Sequence, residues 1–340
     1  MSPSERERVS KLRESTRRSK KSSSLRYGVI LLPYSVSFDK ILQAALRAED
    51  LGFDSVWISD HLQRSGKSVL ECWTLISALA AKTTKIRVGS LATCNSFRNP
   101  SLLARMISTI SQISGGRADA AIGLGYDPLE HTANGFEFPD FSKRVEMLSE
   151  SLHILNMLWS SKKPVDFEGS QYRLRGALSN PKPVGKPRIW VAGRNRRVIE
   201  IATRLAYGIN ILPYSGTLEK RRISSPEELK EIVREIDSIA KSRSNFGKSM
   251  YCGDGGVVIG STESDYRVRV NRSAKSEGLS KLDYEARLNN LSIIHGTADQ
   301  CRDSVKEISS LGFEELMMVF PGWQSGNYEN MNLFAREFLK

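Results

Sequence analysis

The chain is poor in the residues that build cross-links and metal cages. Its 340 residues include only four cysteines and four histidines. Cys72, Cys94, Cys252 and Cys301 form no C-x-x-C pair and no zinc-type spacing, which excludes a disulfide framework or a zinc module and reads as reduced thiols in a cytoplasmic protein. Cys301, with Val305 and Ile308 at helical spacing, reads as core. No apolar run approaches the roughly 18 residues needed to span a membrane. The N-terminal charges lack the hydrophobic block of a secretory signal. Also missing are a G-x-x-x-x-G-K-S/T loop and any G-x-G-x-x-G opening a helix, so triphosphate and Rossmann dinucleotide chemistry find no support. No internal repeat of fixed period is visible.

Charge is not scarce, but it is unevenly placed. The chain carries a net +12, and residues 1–26 hold nine Lys or Arg against three Glu, half of that excess. This stretch has almost nothing to bury, so a disordered basic tail is expected over 1–26 and a single folded domain over 27–340. The tail has no aromatic residue for base stacking, and nucleic acid is not an expected partner.

What remains alternates. Apolar runs at Tyr27–Leu32, Ser55–Ile58, Ile86–Thr93, Ala118–Gly123, Arg188–Ala192, Gly208–Leu212, within Met250–Ile259, and at Glu315–Phe320 read as eight buried strands. Between most of them lie amphipathic helices. Pro100 opens one, with Leu102, Leu103, Met106, Ile110 and Ile113 as its apolar positions and Gly115 as its end. Ser37 and Gly52 bound another, Asp140 or Ser142 starts a long one, and Thr297 caps one that ends at Gly312. Residues 164–187, rich in proline and glycine, read as an irregular extended connection. Eight strands alternating with helices predict a (β/α)8 TIM barrel rather than an open sheet.

In such a barrel, chemistry belongs to the loops that follow the strands. Asp60-His61 follows the second strand. His61 could move a proton near neutral pH, and Asp60 could orient it or face the same pocket. Gly123 and Gly125 follow the fourth strand, where backbone can approach a flat ring or a phosphate closely. Asp127, Glu130 and His131 fall on a short helix after that turn, with no spacing that would bind a metal. Gly193-Arg194-Asn195-Arg196-Arg197 joins glycine, a helix start and three guanidinium groups into the best anion site, although one or two of those arginines read as surface charge.

Six stretches in order then carry a family resemblance: AEDLGFDSVWISDH (48–61), IRVGSLATCNSFRNP (86–100), SGGRADAAIGLGYDPLEHTANGFEF (114–138), KRVEMLSESLHILNMLW (143–159), FEGSQYRLRGALSNPKPVGKPRIWVAG (167–193) and HGTADQCRDSVKEISSLGFEELMM (295–318). From Tyr27 onward the chain resembles the luciferase-like superfamily, especially its coenzyme F420-dependent oxidoreductases. The resemblance implies an insertion before strand eight (262–294), a cofactor at the strand C-termini, a small-molecule substrate and a homodimer. It implies a non-prolyl cis peptide at Leu91–Ala92, with Thr93 beside it. It also implies a site residue at Asp60 or His61, a glycine turn at Gly123 and Gly125, and a phosphate loop at Gly193 and Arg194. Tyr126 stands where some sugar-phosphate dehydrogenases of this kind carry a catalytic glutamate, which leaves Glu130 and His61 as candidate acids. The expected activity is hydride exchange between coenzyme F420 and an organic substrate. The alternatives are an FMN-dependent monooxygenase and a non-catalytic flavin-binding relative.

Overall fold

The computed structural model describes residues 25–215, 222–241, 243, 246–252 and 255–339. Eight strands make the barrel: β1 (Arg26–Leu31), β2 (Ser55–Ile58), β3 (Arg87–Cys94), β4 (Ala118–Gly123), β5 (Ile189–Ala192), β6 (Gly208–Ile211), β7 (Gly247–Cys252) and β8 (Glu315–Met318). Each pairs in parallel with its neighbours, and β8 closes the ring on β1. The (β/α)8 expectation therefore holds. The interior is plugged rather than hollow, with Trp57, Trp190, Met317 and Ile30 fully buried inside it.

Charge closes the N-terminal end of the barrel. Asp119 accepts from Arg87 at 2.6 Å and from Arg188 at 2.6 Å, while Glu315 accepts from Ser55 at 2.5 Å and from Arg188 at 3.3 Å. Arg26, expected as the last tail residue, instead opens β1 and pairs with Glu315 at 3.3 Å. These ion pairs sit at the face that serves stability in this fold. The rest of the expected tail, residues 1–24, lies outside the described residues.

Helices pack outside the ring. α1 (Phe38–Leu51) ends at Gly52 in the left-handed conformation, φ 89°, and α2 (Cys72–Lys82) is capped by Glu71. α3 (Pro100–Ser114) begins at its proline, and of its expected apolar face Leu103 and Ile110 are buried and Met106 partly so, while the two outer positions are not. Leu102 and Ile113 are about half exposed (52% and 47%), and Leu103, Ala104, Ile107 and Ile110 go inward with Ser108 and Ser111. The two serines are tolerated there because Ser108 donates to Ala104 O and Ser111 to Val184 O. α4 (Pro128–Ala133) is short, and α5 (Phe141–Ser160), capped by Asp140, is long. Residues 164–187 contain an antiparallel pair, Val165–Glu168 with Arg173–Ala177, before an extended run.

The expected seventh strand divides in two. β7 starts at Gly247, and Val258–Gly260 leaves the barrel to pair with His295–Thr297. A turn at Gly256, φ 76°, lies between these segments. That outer pair brackets the insertion, which is two capped helices, Glu263–Ser276 and Lys281–Leu291. The final helix runs Glu329–Phe338. Cys72, Cys94 and Cys301 are buried free thiols. Among the described residues no helix is long and apolar enough to cross a membrane.

Candidate active site at the C-terminal rim

The C-terminal ends of β1 to β6 and the loops after them enclose a cavity of about 750 Å³. Both groups of residues singled out in the sequence line it. Asp60, His61 and Glu130 come from the loop after β2 and from α4; Leu91, Ala92, Thr93, Gly123, Gly125, Gly193 and Arg194 come from β3 and the ends of β4 and β5. Residues 134 positions apart, Asp60 and Arg194, thus meet in one space, because every parallel strand delivers its last residue to the same rim.

The wall contributed by β3 carries the Leu91–Ala92 peptide, which is cis, at the position the resemblance implied. Here the register between β3 and β4 shifts between Ser90 and Thr93, and the buried hydroxyls of Ser90 and Thr93 satisfy one another. Opposite them, Gly123 leaves the surface bare. A Cβ there would stand 3.6 Å from the Cβ atoms of Ala92 and Ala192, in ordinary contact with its neighbours. Gly125 is different: its φ is +78°, and a Cβ would lie 2.7 Å from Cys94 Sγ.

His61 is held at both ring nitrogens. Arg64 Nη2 lies 2.9 Å from Nε2, and a guanidinium only donates, so Nε2 accepts. The ring proton then sits on Nδ1, which donates to Glu130 Oε2 at 2.9 Å. Glu130 Oε1 takes the amides of Leu62 at 2.6 Å and Gln63 at 3.2 Å, which ties the β2 loop to α4. Burial works against the Glu130 charge, yet His61 and those amides outweigh it and hold the carboxyl below its ordinary pKa. A carboxylate on Nδ1 fixes the tautomer and leaves Nε2 as the acceptor, the arrangement a proton-accepting histidine requires.

Asp60 does not orient His61. Its carboxylate receives Arg98 through two hydrogen bonds, 2.5 and 2.8 Å, and the amide of Cys94 at 2.9 Å. Asp60 therefore clamps the end of β3 to that of β2. Glu130, 69 residues beyond His61 on the short helix α4, performs the orienting contact instead. Asp127, expected on the same short helix, caps α4 by accepting from the amides of Leu129 and Glu130.

His131 is a pillar of the wall. Its Nδ1 donates to Asp127 O at 2.7 Å, its Nε2 accepts from Ser96 Oγ at 2.6 Å, and Phe97 packs 4.5 Å from its ring centre. Beside it, burial pushes the Cys94 thiol up to about 11, so it is a neutral thiol and a poor nucleophile near pH 7. Of the three arginines after β5, only Arg194 lines the cavity. Arg196 pairs with Glu200 and Arg197 donates to Ser142, both on the exposed surface. Asn195 caps the following helix (Arg196–Leu205) by accepting the amide of Arg197.

The sequence reading missed Tyr34 and Arg64. Tyr34 exchanges a hydrogen bond with Ser59 at 2.8 Å, and the Arg64 guanidinium lies 5.9 Å from the centre of the Tyr34 ring and 5.7 Å from that of Tyr126, whose hydroxyl it also contacts. Their only sequence signal was position, each a few residues past the end of a strand.

The chain is similar to an F420-dependent glucose-6-phosphate dehydrogenase of Nocardia farcinica, 25% identical over 315 residues, covering 88% of this chain and 92% of that protein. Three proteins of the same description align at 29–33% identity, and the chain spans about half the length of those relatives. In fold it is similar to an F420-dependent secondary alcohol dehydrogenase in complex with an F420–acetone adduct, with a TM-score of 0.74, 19% identity, and 92% and 98% of the two chains covered. It is also similar to the FMN-bound oxygenating constituent of 3,6-diketocamphane monooxygenase of Pseudomonas putida, TM-score 0.73, 19% identity, covering 93% and 98%. The family model described as luciferase-like monooxygenase matches residues 19–315. With a barrel, a rim cavity and a match over most of its length, the chain belongs to the luciferase-like monooxygenase family.

Proposed function

We propose that this chain is a coenzyme F420-dependent oxidoreductase that oxidises an alcohol, or reduces the corresponding carbonyl, at the rim cavity. One observation carries the reading: a histidine with a buried carboxylate on Nδ1 faces the same cavity as the bare glycine at 123. The F420-dependent relatives support the choice of cofactor.

The residues present fit a tricyclic ring bearing a phosphate tail. The cavity is of cofactor size. Leu91, Ala92 and Thr93 would lie behind the ring, and Gly123 and Gly125 would admit its edge. Gly193, Arg194 and the helix start at Asn195 would hold the phosphate. When bound, coenzyme F420 supplies a hydride-accepting carbon in its central ring and no one-electron chemistry.

The chain's own residues supply proton control. As the C–H electron pair of the alcohol leaves as hydride, the hydroxyl proton passes to His61 Nε2 and the O–H pair becomes the carbonyl π bond. Glu130 stabilises the imidazolium through Nδ1–H. In the reverse direction His61 returns that proton. Asp60 is a positioning residue, holding β3 in place through Arg98 and the Cys94 amide. The active unit is a homodimer in this proposal, checked by light scattering on the purified protein.

The family's description as monooxygenases favours a second reading, FMN with oxygen. Titrating the purified chain separately with coenzyme F420 and FMN decides between them. Tighter binding of coenzyme F420 without oxygen uptake is expected, whereas preference for FMN with oxygen consumption refutes the proposal. On the F420-loaded enzyme, His61→Ala should cost on the order of 10²–10⁴-fold in kcat, the usual contribution of a proton-transfer group. Unchanged turnover removes His61 from the chemistry.

A further inference from the structure

The loop after β2 reads LQRSGKSVL over residues 62–70, with two cations and no acid. Arg64 is half-buried at the mouth of the cavity, and the exposed Lys67 has its Nζ 5.9 Å from the centre of the Tyr34 ring. Among the described residues, no carboxylate lies within ion-pair distance of either cation. The neighbouring Arg98 contrasts with them, paired with both Asp60 and Glu71. Arg64 instead spends its Nη2 on two neutral acceptors, His61 Nε2 and the Tyr126 hydroxyl. A half-buried guanidinium without a counter-charge is an incomplete arrangement, since an oxyanion would bind it more strongly than a neutral acceptor does.

That same contact occupies the atom the chemistry needs. His61 Nε2 cannot take a proton while it accepts from Arg64. We propose that the substrate is a hydroxy acid, whose carboxylate binds Arg64 beside the reacting hydroxyl and so frees His61 Nε2. This rests on the hydride-transfer reading of the cavity. The spacing follows from the 2.9 Å between Arg64 Nη2 and His61 Nε2: a hydroxyl bound at one nitrogen brings the adjacent carbons of its chain against the other. The planar fork of arginine matches a carboxylate through two parallel hydrogen bonds. The cofactor's phosphate does not compete for it, because Arg194 follows β5, three strands around the ring from β2. Arg64 is thus the specificity-determining residue, and Lys67 adds long-range attraction for the same charge.

The test uses the full chain without coenzyme, so that it reads Arg64 separately from the cofactor. Mandelate is the probe, mandelamide its uncharged counterpart, and glucose 6-phosphate an oxyanion remote from the oxidised carbon. Binding is followed by calorimetry and by ¹⁵N NMR of histidine-labelled protein, with His61 assigned through His61→Ala. Mandelate is expected to bind at least about tenfold more tightly than mandelamide and to shift the His61 Nε2 signal. Arg64→Gln should abolish the difference, and Arg64→Lys, keeping charge without the fork, should recover part of it. Melting curves of both variants confirm that they fold. Equal affinity for acid and amide overturns the proposal, as does failure of mandelate to bind or full binding by Arg64→Gln. Preference for glucose 6-phosphate overturns the hydroxy-acid assignment. Arg64-dependent mandelate binding together with no affinity for coenzyme F420 would sink the proposed function and leave Arg64 standing as a carboxylate site.

Discussion

Replacing Asp60 separates positioning from chemistry at this rim. Its side chain is fully buried, and that of Arg98 is 9% exposed. Removing one member of a buried ion pair costs about 3–5 kcal/mol, because the survivor is left without its counter-charge. Arg98 keeps a second partner in Glu71 at 3.0 Å, which places Asp60→Asn at the low end, about 3 kcal/mol. Asparagine can still accept the Cys94 amide, but it turns a donor toward Arg98. Asp60→Ala also orphans that amide, adding about 1–3 kcal/mol and bringing the total to about 5. At about 2.1 cal/mol/K per residue, a chain of 340 residues unfolds with an entropy near 0.7 kcal/mol/K. The variants should therefore melt about 4 °C and about 7 °C below wild type, read by circular dichroism at one scan rate. Both melting within about 1 °C of wild type refutes the clamp. A large kcat loss in Asp60→Asn without a melting change would move Asp60 into the proton chemistry.

Three further outcomes follow from the same geometry. Glu130→Gln presents a donor to His61 Nδ1 and forces the proton onto Nε2, so kcat should fall on the order of 10²–10⁴-fold, with a smaller change in coenzyme affinity; an equal loss in both would show a structural role instead. The folded pKa of Glu130 lies below its ordinary 4.5, so its contribution to stability is complete above that pH and disappears as pH falls through the lower, folded value. The stability gap between wild type and Glu130→Gln in urea should then narrow on acidification, and a gap that widens contradicts the assignment. Gly123→Val has ordinary backbone angles available to it and its Cβ would meet only ordinary contacts, so melting should change little; the side chain would fill space assigned to the cofactor, and coenzyme F420 affinity measured by fluorescence should drop at least about tenfold.

Sequence alone determined the barrel, because burial on both faces writes each parallel strand as a short apolar run, and helix ends such as Pro100, Gly52 and Thr297 carry their own chemistry. It also nominated the rim residues, since strand ends are where this fold does its work. Pattern fared worse where two faces compete. Leu102 and Ile113 fit the helical spacing of α3, yet small residues such as Ala104 and Ser108 let the helix pack more closely on an adjoining face. Tertiary structure decided the partnerships. Asp60 adjoins His61 in the chain, but its carboxylate is taken by Arg98, and the carboxylate that meets the imidazole comes from residue 130. Arg64 carried no signal of its own, because a lone loop arginine is indistinguishable from surface charge until its neighbours are known. Which charges are matched and which are left waiting depends on distances between loops, and only closure of the ring sets those distances.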